Sequence, residues 1–178
     1  MAKWIIDPNH TVAHFLARHM MITDVHGQFN DISGMIEFNQ QDVAATSAEV
    51  EINAAGIWTG VERRDNHLRS PDFLNVEKYK TIFFKSTRTE MTGISTLKLH
   101  GTLTIRGITR PVILDTEFFG PNHYEDEEGV YDTIGFSATT SLNREDFDMT
   151  WNNYFGNNNF MVGKHINITL NAEADLAS

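Results

Sequence analysis

Residues 97 to 119 alternate between apolar and polar side chains with a single interruption. Leu97, Leu99, Gly101, Leu103 and Ile105 fall on one side, and Lys98, His100, Thr102 and Thr104 on the other. A period of two defines a β-strand with one apolar face and one wet face. Arg106-Gly107 breaks the alternation, and Gly107 supplies the positive φ that a tight reversal needs. The pattern resumes with Val112, Leu114, Thr116 and Phe118 against Ile113, Asp115, Glu117 and Phe119. These residues predict a hairpin with one apolar face to cover.

The same one-sidedness recurs along the chain. Strands are expected from Trp4 to Asp7, where Pro8-Asn9 ends the first, and from Val12 to Arg18. Others are expected at Val25 to Phe29, Met35 to Phe38, Ser47 to Asn53, Thr81 to Thr87 and Thr133 to Leu142. The last strand sets Ile166, Ile168, Leu170, Ala172 and Ala174 against His165, Asn167, Thr169, Asn171 and Glu173. A slip of phase near Gly34 predicts a glycine bulge. Thr59-Gly60-Val61-Glu62 fits a capping box and predicts a helix from about Gly60 to Leu68. Pro71 suits the first position of a second short helical turn within Ser70 to Asn75. About eight strands, each apolar on one face, close most economically into an antiparallel up-and-down β-barrel, which removes sheet edges. Its interior is expected to be apolar throughout, with one helical insertion.

Composition narrows the function. The 178 residues fit one domain, 1–178, and 40% hydrophobic residues suffice for a core. A formal charge of −10 disfavours nucleic acid and anionic lipid surfaces. The absence of cysteine excludes disulfides and thiol chemistry. No secretory signal pattern opens the chain and no apolar run reaches membrane-spanning length, so a cytoplasmic location without stable membrane insertion is expected. A signal already removed would equally fit a periplasmic or secreted protein. Monomer and homodimer are both compatible with the sequence.

Candidate sites for chemistry are sparse. His10 and His14 are four apart, which on a strand separates them by about 13 Å. No acidic or histidine partner is expected at ligand spacing, so no metal site is assigned. Asp65, His67 and Arg69 lie on the expected helix. The favoured reading is ordinary helix-surface pairing over one barrel end; the alternatives are a polar gate of His67 and Arg69, or an acid/base cluster. Ser137 and Ser141 lack a nucleophile elbow, and no catalytic residue is assigned. The acidic stretch 125–129 and the asparagine-rich stretch 152–159 read as ordinary connections.

Read together, several blocks resemble the YceI-like family of lipocalin-like, lipid-binding barrels. They are Asp7-Pro8-Asn9-His10-Thr11, residues 19–29, residues 64–73, Tyr79-Lys80-Thr81-Ile82-Phe83-Phe84, the hairpin 101–109, Gly135-Phe136-Ser137-Ala138 and Arg144-Glu145-Asp146-Phe147. Two departures fall at turns: Lys80 where the family usually has proline, and Asp148 where glycine commonly follows the last block. The resemblance implies an eight-stranded antiparallel barrel holding a long apolar molecule, a polyisoprenoid, isoprenoid quinone or fatty-chain amphiphile, with no cofactor and no shared catalytic reaction. Lining candidates are Phe15, Phe38, Val50, Ile52, Phe73, Ile82, Phe84, Leu103, Ile105, Leu114, Phe118, Phe136, Leu142, Ile166 and Ile168. The same residues would also serve a filled barrel that binds a protein partner. The resemblance tips the balance toward an open bore.

Overall fold

The structure, a computed structural model, describes residues 1–125, 129–156 and 159–177. The strands are β1 (Ala2–His19), β2 (Thr23–Phe29), β3 (Ile32–Phe38), β4 (Ser47–Asn53), β5 (Thr81–Met91), β6 (Thr96–Ile105), β7 (Ile108–Glu125) and β8 (Val130–Asn143). A two-residue ladder, β9 (Tyr154–Phe155) and β10 (Asn159–Phe160), precedes the last strand, β11 (Val162–Leu176). One α-helix, α1 (Glu62–Arg69), lies between β4 and β5.

Antiparallel pairing runs β1-β3-β4-β5-β6-β7-β8-β11 and returns to β1, closing an eight-stranded barrel. The start of β1 pairs with β3 and its second half with β2, so β2 and β3 act as one strand broken at Asn30-Asp31. The 97–119 hairpin forms in the expected register, with Leu97 opposite Thr116 and Ile105 opposite Ile108. Arg106 (φ 54°) and Gly107 (φ 72°) make its two-residue turn, both left-handed as such a reversal demands. Among the described residues, no helix is long and apolar enough to cross a membrane.

Several local expectations are corrected. Pro8-Asn9 does not end a strand. β1 continues through it, and the irregularity appears as a register shift between Asp7 and Val12 against β11. Gly34 carries no bulge; it sits in register opposite Val50, where an added Cβ would strike the Glu49 carbonyl. The capping box does not form, because Val61 occupies the N-cap and Thr59 bonds to Asp65 instead. The short turn expected within Ser70 to Asn75 is present, with Phe73 N–H bonded to Ser70 O at 3.0 Å, and the turns run on to residue 78. Asp148 occupies a left-handed position (φ 61°, ψ 23°), which aspartate tolerates better than most residues. Of the two connections, residues 126–128 and 157–158 lie outside those described.

The two barrel ends differ. At one, Trp4, Phe38, Phe118, Ile134 and Ala174 pack solidly. Phe38 meets Phe118 at 5.1 Å and Phe136 at 5.9 Å between centroids. At the other end, α1 and the turns after it lie over the strand termini, with Leu74, Val76, Phe147 and Met149 in the core.

Candidate functional site: an apolar bore with a buried cation

Between these ends the barrel encloses a cavity of about 230 Å³. Its wall includes all the expected lining residues except Phe38 and Phe118, which instead close the far end. The space exists because several inward positions carry alanine. Ala13 on β1 and Ala138 on β8 both pair with Leu170 of β11, and Ala138 also pairs with Thr116 of β7. Ala13, Ala17, Ala48, Ala138 and Ala172 all reach the cavity. A barrel of eight strands is just wide enough to be filled by large side chains. Small ones at these positions leave room.

The wall is not apolar throughout, contrary to expectation: His14, Thr46, Thr116, Thr140 and Arg144 also line it. Thr46 Oγ1 is buried without a hydrogen-bond partner among the described residues. Arg144 is only 2% exposed. It opens the short 3-10 turn after β8, which turns its side chain inward at the helical end. Its Nε donates to Gly163 O at 3.0 Å, Nη1 to Met149 O, and Nη2 to Val162 O at 3.3 Å. Its guanidinium carbon lies 5.8 Å from the Phe73 ring centroid. Burial pulls the Arg144 pKa below its ordinary value, yet a guanidinium keeps its charge in proteins. Sequence reasoning missed Arg144 as a wall residue. Arg144 continues the period-two phase of the inward positions Ile134 to Leu142, and that was the available signal.

The covering segment is held by cations bonded to backbone. Arg106 donates to Pro71 O at 2.8 Å and to Phe73 O, and pairs with Asp148 at 3.3 Å. Arg69 donates to Ala55 O at 2.9 Å and Ile57 O at 2.8 Å. His67 Nε2 lies 2.8 Å from Asp72 Oδ2, and its ring meets Phe73 and Trp151 edge-on. Asp65 accepts two bonds from Thr59. Asp65, His67 and Arg69 therefore face three different sets of partners, and neither His67 nor Arg69 reaches the cavity.

One histidine departs from expectation. The bulge in β1 brings His10 Nδ1 within 2.6 Å of Asp7 Oδ2 and 3.6 Å of Glu173 Oε1, so acidic groups do arrive at ligand spacing. The Asp7 carboxylate raises the His10 pKa, and the Asn9 backbone N–H lowers that of Asp7.

Fold and cavity together place the chain among lipocalin-like barrels, closed antiparallel sheets around an apolar bore. Residues 4–174 match the YceI-like domain. A UPF0312 protein of Ectopseudomonas mendocina is 37% identical over 151 residues, covering 84% of this chain and 78% of its own. The Campylobacter jejuni YCEI protein superposes with a TM-score of 0.71 at 29% identity, covering 90% of each chain. A polyisoprenoid binding domain from Saccharophagus degradans, implicated in plant cell wall breakdown, shares the fold with a TM-score of 0.71 at 10% identity, over 99% of this chain and 100% of its own. The chain belongs to the YceI-like family.

Proposed function

We propose that this protein is a non-enzymatic carrier or store for a long-chain lipid, a polyisoprenoid, isoprenoid quinone or fatty-chain amphiphile, held in the barrel bore. The observation that carries the reading is the cavity of about 230 Å³ with its almost wholly apolar wall. Apolar cavities of about 150 Å³ stay dry and take up apolar guests. The polyisoprenoid binding domain of the same fold supports an isoprenoid tail as the guest. Each methylene moved from water into the bore contributes about 0.8 kcal/mol. Ten would give roughly 8 kcal/mol, a micromolar Kd before ordering costs. Affinity then follows buried chain length, with loose selectivity for tail type.

Native mass spectrometry after mild purification tests the proposal. The expected result is a co-purifying adduct recoverable by organic extraction. Ala138→Phe, which places a ring in the cavity, should abolish uptake of a fluorescent fatty chain while far-UV circular dichroism stays unchanged. Uptake at wild-type affinity in a folded A138F variant would overturn binding in the bore.

A further inference from the structure

Arg144 is the discordant residue in the bore wall. A guanidinium carries five N–H donors in a planar fork. Three make the bonds to Gly163, Met149 and Val162, all to neutral carbonyls. The Nη2 bond is long at 3.3 Å, and Asn152 Nδ2 competes for the same carbonyl at 2.8 Å. The adjacent carboxylate, Glu145, pairs with Lys164 at 3.0 Å. Among the described residues no carboxylate forms an ion pair with Arg144. A buried charge is normally matched by an opposite one. Here a buried cation stands in the wall of an apolar cavity, and among the described residues its charge is met only by neutral carbonyls.

We propose that Arg144 anchors an oxyanion at the head of the bound lipid, so that the protein prefers chains ending in a carboxylate or phosphate over neutral chains of equal length. The inference rests on the carrier reading and adds head-group selectivity to it. Phe73 covers one face of the guanidinium, whereas N–H bonding runs along the edge of the plane. Planar, charge-assisted pairing with carboxylate or phosphate is the interaction for which arginine is best shaped. The tail would then extend from Arg144 toward the Phe38 end. A second polar group of the wall, the Thr46 hydroxyl, has no hydrogen-bond partner among the described residues; it sits toward that opposite end and is neutral, so it gives no preference for an anion.

The test uses the full chain stripped of co-purifying lipid, with hexadecanoic acid, hexadecyl phosphate, 1-hexadecanol and hexadecane as probes, read by displacement of a fluorescent fatty chain. The expected result is at least about tenfold tighter binding of an anionic probe than of the alcohol, the scale of one charge-assisted bond in a buried setting. The acid and phosphate arms show which oxyanion fits. Arg144→Gln should bring the ratio to about one, whereas Thr46→Val should leave it unchanged. Equal affinity of wild-type protein for acid, phosphate and alcohol would overturn the proposal even if R144Q does not fold. Failure of all four probes to bind would instead count against the carrier reading itself.

Discussion

Thr59 donates twice to a single carboxylate oxygen: its N–H lies 2.9 Å and its hydroxyl 2.5 Å from Asp65 Oδ1. Asp65 is 3% exposed. Arg64 adds bonds from Nε to Thr59 Oγ1 at 2.7 Å and from Nη2 to Thr59 O at 2.9 Å. This knot ties α1 to the strand-side segment and so holds the cover of the bore. Asp65→Ala leaves the Thr59 donors without their charged acceptor and should cost about 2–3 kcal/mol. Urea denaturation should show a lower midpoint with an unchanged slope. A wild-type midpoint would show that the knot contributes nothing to the fold.

The barrel was legible because period-two alternation is directly visible in the sequence, and the closing strand β11 shows it most clearly. What alternation hides is volume. Phe38 and Phe136 share an inward pattern, yet Phe38 fills an end while Phe136 lines the cavity. The difference arises from stagger between strands, which no single strand encodes. Arg144 stands in the sequence only as part of the block 144–147, since the chain reverses there and polarity usually marks exposure at a bend. The three carbonyls that draw it inward belong to residues 149, 162 and 163, and nothing local to position 144 announces them. Thr59 failed as a cap for a different reason: the buried Asp65 carboxylate, within the helix itself, took its hydroxyl in place of the free backbone donors.

Gly101 marks a close approach of strands. An added Cβ would stand 2.5 Å from Lys85 O and 2.6 Å from a Phe84 ring carbon. The adjacent β5–β6 pairing shifts register between Ser86 and Arg88, so the backbone there is already irregular. Gly101→Ala should destabilise by about 1–3 kcal/mol, and it should weaken uptake of a fatty chain, because Phe84 lines the bore. Thermal denaturation and a binding isotherm on the same sample check both effects. An unaltered melting temperature would show that β5 yields without strain.

The Asp7–His10 pair makes a prediction about pH. The Asp7 carboxylate raises the imidazole pKa above 6.5. Stability from His10 is therefore fully present below that ordinary value and is lost as pH rises through the folded-state pKa. The Asp7 pKa is lowered from 3.8, first by the Asn9 backbone N–H. Its contribution is present above that value and is lost as pH falls through the folded-state pKa. The pair stabilises most between about pH 4 and 6.5. An NMR titration should place the His10 midpoint above 6.5, and Asp7→Asn should return it toward the ordinary histidine value. A wild-type midpoint at or below 6.5 would contradict the pairing.

Phe38 sets where the bore stops. Its side chain is 1% exposed, and its ring sits against both Phe118 and Phe136. Trp4 Nε1 donates to the Phe38 carbonyl at 3.4 Å, a backbone contact that survives loss of the ring. Phe38→Ala should therefore keep the local strand pairing but cost about 3–5 kcal/mol, the usual range for emptying a buried phenylalanine site. The vacated volume adjoins Phe136, which already lines the cavity, so it extends the bore instead of creating an isolated void. Each further methylene accommodated is worth about 0.8 kcal/mol, roughly fourfold in Kd. In a series of fatty chains of increasing length, affinity for wild-type protein should level off at some length, and the F38A plateau should move to longer chains even as the protein becomes easier to unfold. A loss of stability with no change in the plateau would mean that the tail stops short of Phe38.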